Sequence, residues 1–245
     1  MQTLCPAGCY AARYMRRALI VIGKAPEPGI TKTRLVPFLA PDEAAALYRA
    51  FLLDAIHLGL QLGWERTSMV HPRGAGPALK AIVPRQVKLI EQHAGGLGGA
   101  LAFAFEHHFE EGFERVVLIG SDNPTLPAEP IEHACAALDA HDVSIGPTSD
   151  GGYYLIGLRR PHLELFEAID WSTSRVYAQT LARAQQLGLR VRAVREWYDV
   201  DGPADLDRLH RELRSAPEVI APNTRAVLRS LGVAATTPST TTTGA

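Results

Sequence analysis

The stretch Gly23-Lys-Ala-Pro-Glu-Pro-Gly-Ile-Thr-Lys-Thr-Arg-Leu35 gathers Lys24, Lys32 and Arg34 with the hydroxyls of Thr31 and Thr33. Cations, hydroxyls and free backbone amides on one short loop suit the oxygens of a diphosphate or triphosphate. The spacing is not that of a Walker loop, because five residues separate Gly23 from Gly29 and Thr31 intervenes before Lys32. A second polar loop, Gly120-Ser-Asp-Asn-Pro124, carries Asp122. A carboxylate there is a hard oxygen ligand able to hold Mg²⁺ or Mn²⁺ beside a diphosphate. The same residues are also ordinary turn formers.

Two further segments carry acids. Gly146-Pro-Thr-Ser-Asp-Gly-Gly-Tyr-Tyr154 reads as a hairpin turn, and Gly151 and Gly152 would also let a ligand approach the backbone. Tyr198-Asp-Val-Asp-Gly-Pro203 sets Asp199 and Asp201 just before a proline-initiated helix. One of the two is expected to cap that helix, the position favouring Asp201, while the other joins Asp122 at a metal. Both stay candidates as ligands.

Other residues read as structural. Gly95-Gly-Leu-Gly-Gly99 lacks the spacing of a dinucleotide fingerprint. The histidines show no HExxH spacing, and His107-His108 is expected on a solvated helix face. Cys135 falls in a helical stretch and is expected to be buried. There is no Gly-x-Ser-x-Gly elbow, which argues against an α/β-type serine hydrolase.

These loops need strands and helices to hold them. Arg17–Gly23 and Arg115–Gly120 are continuous apolar runs of the kind buried in parallel sheets. Shorter strands are expected at 67–70, 87–91, 143–146, 153–158 and 189–194. Helices are expected at 41–62, with Asp42 as its cap, and at 97–109, 127–139, 173–187 and 203–214. Strands alternating with helices imply a mainly parallel sheet covered on both faces. Ligands then bind beyond the carboxyl ends of the strands, where both polar loops fall.

The chain has 245 residues, 47% of them hydrophobic, and its 25 Lys and Arg nearly balance its 26 Asp and Glu. With a net charge of −1 it lacks the broad cationic surface that attracts nucleic acid or anionic lipid. No apolar run approaches the ~20 residues of a membrane helix. Residues 1–14 show no apolar signal-peptide core and read as an extension in which Cys5 and Cys9 make no convincing metal site. Residues 15–233 read as one domain and 234–245 as a disordered Thr/Ser/Pro/Gly tail. Three cysteines are too few for a disulfide framework, so a reducing, cytoplasmic setting is expected.

The phosphate loop, Gly120-Ser-Asp-Asn-Pro, Asp150-Gly-Gly-Tyr-Tyr-Leu-Ile-Gly, Trp171-Ser-Thr-Ser and Asp199-Val-Asp-Gly-Pro-Ala-Asp-Leu together resemble the rSAM/selenodomain-associated transferase family. The match keeps its order over roughly residues 16–214. That family is glycosyltransferase-like, with a GT-A (nucleotide-diphospho-sugar transferase) fold, and is similar to 2-phospholactate guanylyltransferase. The resemblance implies that Lys24, Lys32, Thr33 and Arg34 bind nucleotide phosphates. It also implies that Asp122 holds the metal, with the Asp199/Asp201 pair beside it, and that Asp150 to Tyr153 face the acceptor. Gly96-Leu-Gly-Gly-Ala100 departs from the family's pattern, lacking its acid and its base.

The expectation is therefore a GT-A-like α/β transferase using Mg²⁺ or Mn²⁺. Its first-ranked reaction is sugar transfer from a nucleoside-diphosphate sugar to a small acceptor, with Asp150 as the base and Asp122 at the reacting diphosphate. The second is nucleotidyl transfer from an NTP to a phosphorylated acceptor, releasing pyrophosphate. The third is nucleotide binding without turnover.

Overall fold

In the computed structural model, residues 15–93 and 95–232 are described. The expectations for residues 1–14 and 234–245, including Cys5 and Cys9, lie outside them. The strands are β1 (Arg17–Ile22), β2 (Arg66–His71), β3 (Lys88–Glu91), β4 (Arg115–Gly120), β5 (Val143–Pro147), β6 (Tyr153–Leu158) and β7 (Val191–Ala193). They form one seven-stranded sheet in the order β3-β2-β1-β4-β6-β5-β7. All neighbours are parallel except those of β6, which runs antiparallel between β4 and β5. The mainly parallel α/β sheet that the apolar runs predict is thus present.

The helices are α1 (Pro41–Gln61), α2 (Gly76–Lys80), α3 (Gly96–Glu110), α4 (Ala128–Ala137), α5 (Val176–Gln186), α6 (Pro203–Ser215) and α7 (Pro222–Ser230). Alternate residues of β1 serve the two faces, as strand geometry requires. Leu19 and Val21 pack with α1 and α4 residues such as Leu52, Ile56 and Ile131. Ala18 and Ile20 pack with Leu101 and Phe105 of α3 and Ala184 of α5. Full burial of such side chains contributes roughly 1.5–3 kcal/mol each, which is why β1 and β4 tolerate no polar residue in mid-strand.

A third core lies off the sheet. Leu47 and Phe51 of α1 meet Leu206, Leu209 and Leu213 of α6 and Leu228 of α7. Leu35, which ends the Gly23–Leu35 loop, and Val200, which separates the two acids, are both fully buried in it. This core therefore clamps two segments that are remote in sequence.

Several local expectations need correction. Asp42 does not cap α1. Ala40 precedes the helix, and its N–H donates to Glu43 at 2.7 Å. The short α2 and the terminal α7 went unread, the first because five residues carry little periodicity and the second because its capping partner is distant. His108 is fully buried rather than solvated. Its ring lies 2.9 Å from Ser68 Oγ and 2.7 Å from the Ala104 carbonyl, and burial pushes it down to about 4. Cys135 is buried in the α4 face, as its setting implied. No helix among the described residues is long and apolar enough to cross a membrane.

Candidate active site

Beyond the carboxyl ends of β1 and β4 opens a cleft of about 710 Å³. The Gly23–Leu35 loop forms one rim. Within it Thr31 is fully buried, and its hydroxyl and N–H both donate to the Glu27 carbonyl, so Thr31 shapes the loop instead of facing a ligand. Lys32 then adopts a left-handed conformation, and a 3₁₀ turn over Thr33–Leu35 carries the chain into the third core. Lys24, Lys32, Thr33 and Arg34 all line the cleft.

The loop is tied to Asp122 by a residue that sequence reasoning missed. Buried Tyr48 of α1 accepts the Lys24 N–H at 3.0 Å, and its hydroxyl lies 3.0 Å from Ser121 Oγ. A Cβ on Gly23 would come within 3.1 Å of both oxygens, which explains a glycine where the strand ends. Tyr48 sits on the apolar stripe of α1, so nothing in the sequence separates it from core.

Asp199 and Asp201 arrive on extended backbone. The Trp197 N–H donates to the Pro147 carbonyl at 3.1 Å, and the Val200 N–H to the Asp122 carbonyl at 3.0 Å. With Val200 turned into the core, the residues on either side both face the cleft. Neither acid caps α6, contrary to expectation. Asp205, in the first turn of that helix, accepts the N–H groups of Gly202 at 2.9 Å and Asp201 at 3.2 Å. Asn123, read as a turn residue, spans the two acid segments. Its side-chain amide donates to the Tyr198 carbonyl at 2.7 Å and to Asp199 Oδ1 at 2.5 Å. Tyr198 is itself pinned through its hydroxyl to Glu212 of α6.

Lys32 stands at the centre. Its Nζ lies 2.7 Å from Asp122 Oδ1 and 2.8 Å from Asp201 Oδ1, and its side chain is only 5% exposed. Burial opposes its charge, yet the two carboxylates hold it above the ordinary lysine value. Arg34 is 78% exposed, with Nη1 3.8 Å from Asp201 Oδ2. Burial, followed by the negative charge of Asp122, pushes Asp199 up to about 7. Among the described residues no three His, Cys, Asp or Glu side chains already converge into a metal cage. Asp122 and Asp201 are drawn together by the ammonium instead.

The raised Asp199 sets a pH dependence. Its carboxyl binds its proton more tightly in the folded protein than an ordinary aspartate does, so its stabilising contribution is complete below about pH 4 and is lost as pH rises through 7. Asp199→Asn should therefore stabilise the chelator-treated protein at pH 8, by on the order of 2–4 kcal/mol. Its advantage should fade toward pH 5. His108 pulls the other way below pH 6.5, so the difference between the two urea-unfolding curves is the quantity to read. A constant difference from pH 5 to 8 would show that Asp199 is ionised throughout.

The opposite wall is built from the β5–β6 turn and residues 171–174. Asp150 lines the cleft, but its Oδ1 is taken by the Thr148 hydroxyl at 2.5 Å and the Gly152 N–H at 3.0 Å. Gly152 also lines the cleft. Gly151 does not offer its backbone to a ligand as expected. It has φ +91°, and a Cβ there would sit 2.1 Å from the Ser174 carbonyl oxygen, so it seats that segment. Tyr153 packs edge-on against Trp171, and burial raises its hydroxyl, which lies beside Thr180. Its contribution to the wall is aromatic surface. Trp171 in turn explains Gly98 of α3, since a Cβ there would meet its Nε1 at 2.5 Å.

Known proteins share this chain's sequence and fold. The family described as "Uncharacterized protein conserved in bacteria (DUF2064)" matches residues 55–173. A phosphoenolpyruvate guanylyltransferase of Sphaerobacter thermophilus is 27% identical over 182 residues, 73% of this chain and 86% of the relative. A 3-phospho-D-glycerate guanylyltransferase of Phenylobacterium zucineum is 31% identical over 181 residues, 71% of this chain and 81% of the relative. A protein of Desulfovibrio desulfuricans G20, assigned to the nucleotide-diphospho-sugar transferases, superposes with a TM-score of 0.80 at 33% identity, covering 89% of this chain and 96% of that one. The chain belongs to the DUF2064 family, and it is a transferase.

Proposed function

We propose that the protein is a nucleotidyltransferase that moves a guanylyl group from GTP to a phosphate oxygen of a small phosphorylated acid. The observation that carries this reading is the convergence of Lys24, Lys32 and Arg34 with Asp122, Asp199 and Asp201 across one cleft. Both curated relatives are guanylyltransferases whose named acceptors carry phosphate, which favours nucleotidyl over sugar transfer and GTP over other donors.

In this reaction an acceptor phosphate oxygen attacks the α-phosphorus. The bond from that phosphorus to the α,β-bridging oxygen breaks, and pyrophosphate leaves with the electron pair. Lys24 and Arg34, both exposed on the cleft rim, bind the β- and γ-phosphates and stabilise the charge that grows on pyrophosphate. A phosphate nucleophile is anionic at neutral pH and needs no general base. That suits a cleft in which the Asp150 oxygen nearest the turn is already committed to Thr148 and Gly152. Asp150 and Gly152 then shape the acceptor wall with Tyr153.

Asp122, Asp199 and Asp201 offer only hard oxygen donors, which fits Mg²⁺ or Mn²⁺. Such an ion supplies Lewis-acid stabilisation of the phosphoryl oxygens when bound. Asp122 and Asp201, with Asp199 beside them, would hold it, and Asn123 keeps Asp199 aimed into the cleft.

Incubation with each NTP and a panel of phosphorylated carboxylic acids in Mg²⁺ tests the reading. GTP-dependent pyrophosphate release with a new guanylylated product is expected. Release of nucleoside diphosphate from NDP-sugars would restore sugar transfer, and binding without either product would point to a module without turnover. Arg34→Ala should weaken GTP binding by ~1.5–3 kcal/mol, roughly ten- to a hundredfold by calorimetry. Unchanged affinity would remove Arg34 from the phosphate site.

A further inference from the structure

We propose that Lys32 is a movable internal cation: without metal it bridges Asp122 and Asp201, and a divalent ion displaces it toward the nucleotide phosphates. The proposal deepens the nucleotidyltransferase reading and rests on it. Three carboxylates face one cleft here, and their mutual repulsion would spread them apart. The Lys32 ammonium lies within 2.8 Å of two of them and is 5% exposed, so it stands where the carboxylates could otherwise share a cation. Arg34 cannot replace it, being 3.8 Å from Asp201 and mostly in solvent.

Three features make the position temporary. A metal at Asp122 and Asp201 and an ammonium on the same oxygens would be like charges in contact. Lys32 is carried by the same cleft-lining loop as Lys24 and Arg34, so an anion bound by those two would compete with the acids for it. An ammonium has three donors on a flexible stem; one is given to Asp201, while Asp122 is held by ion pairing, so its contacts can be exchanged one at a time. Phosphate therefore draws Lys32 off the carboxylates while the metal replaces it there, and the two ligands bind cooperatively. The loop and the acids stay assembled in the meantime, because the third core holds Leu35 and Val200 whichever cation is present.

The consequence is a pair of effects of opposite sign. Lys32→Met retains the stem and removes the charge. In the full chain without nucleotide, it should bind Mn²⁺ at least tenfold more tightly than wild type, read as free Mn²⁺ by electron paramagnetic resonance. Its GTP affinity should fall at least tenfold. A purely structural lysine would weaken both. Equal, weaker or undetectable Mn²⁺ binding in a folded variant overturns the proposal.

A second measurement needs no variant. The chain has only four lysines, at 24, 32, 80 and 88. In ¹⁵N-lysine-labelled protein, ammonium signals persist only where hydrogen bonds slow proton exchange. Lys32 and Lys88, which pairs with Glu111, should give them. Saturating Mg²⁺ with GTP should shift or abolish the Lys32 signal and leave that of Lys88. A Lys32 signal unchanged under those conditions overturns the displacement, whereas absence of pyrophosphate in the turnover assay would overturn only the assigned reaction.

Discussion

Asp122→Asn is expected to lower turnover in the proposed guanylyl transfer by about 10³-fold while leaving the fold intact. The substitution keeps the shape of the side chain and deletes one charge, and removal of one preorganised electrostatic contact typically costs 10²–10³ in rate. The loss should reach the upper end because Asp122 is linked to every other part of the site. Its carboxylate holds Lys32, its charge helps raise Asp199, and its carbonyl accepts the Val200 N–H. The stability change should be small, since two effects oppose each other. Lys32 loses one of its two carboxylate partners, but Asp199 loses its principal repulsive neighbour. Steady-state kinetics with GTP and the best acceptor, alongside a thermal melt, checks both halves. Near-normal turnover in a folded variant would reduce Asp122 to a turn residue.

The largest effect on stability is expected far from the chemistry. Asp54 of α1 is 4% exposed and accepts four hydrogen bonds from the start of α7. The donors are the Asn223 N–H at 3.1 Å, Asn223 Nδ2 at 2.7 Å, the Thr224 N–H at 2.9 Å and the Thr224 hydroxyl at 2.6 Å. The residue before α7, Ala221, is in the left-handed region at φ 51°, a strained entry that this carboxylate helps to hold. Asp54→Ala removes this acceptor from all four donors, of which only Asn223 Nδ2 keeps another neighbour, His57 Nδ1 at 3.1 Å, and opens a cavity beneath the helix. The cost should be about 3–5 kcal/mol, a large share of the 5–15 kcal/mol typical of a folded protein. For a chain of this length that corresponds to a melting temperature lower by roughly 10 °C or more. Hydrogen exchange should show the loss first in residues 216–232. Because α7 and Val200 share the third core, nucleotide affinity should fall as well. A melting temperature within 2–3 °C of wild type would mean that α7 is held by its apolar face alone.

Strand positions were largely legible from residues, because buried parallel strands need unbroken apolar runs and helices need periodic ones. β4 and β6 occur where their apolar runs predict, and α6 starts at the proline that marks it. The phosphate loop and Asp122 were legible for a related reason: polar groups clustered just past a buried strand have no core role to explain them. The order of the strands was not legible, since β6 inserts between β4 and β5 through pairings that leave no mark in its own sequence.

The sequence alone determined which charged residues this protein brings to a strand-end cleft, because charge and chain order are local properties. Only the tertiary structure decided how those charges are shared. It shows Lys32 bonded to the acids and not free for phosphate, Asp199 and Asp201 both facing the cleft, and Asp205 capping α6 in their place. It also made Tyr48, Asn123 and Asp54 ties between distant segments. Each of those roles depends on a partner 24 to 170 residues away, set by the packing of the third core against the sheet ends, and no local pattern encodes such a distance.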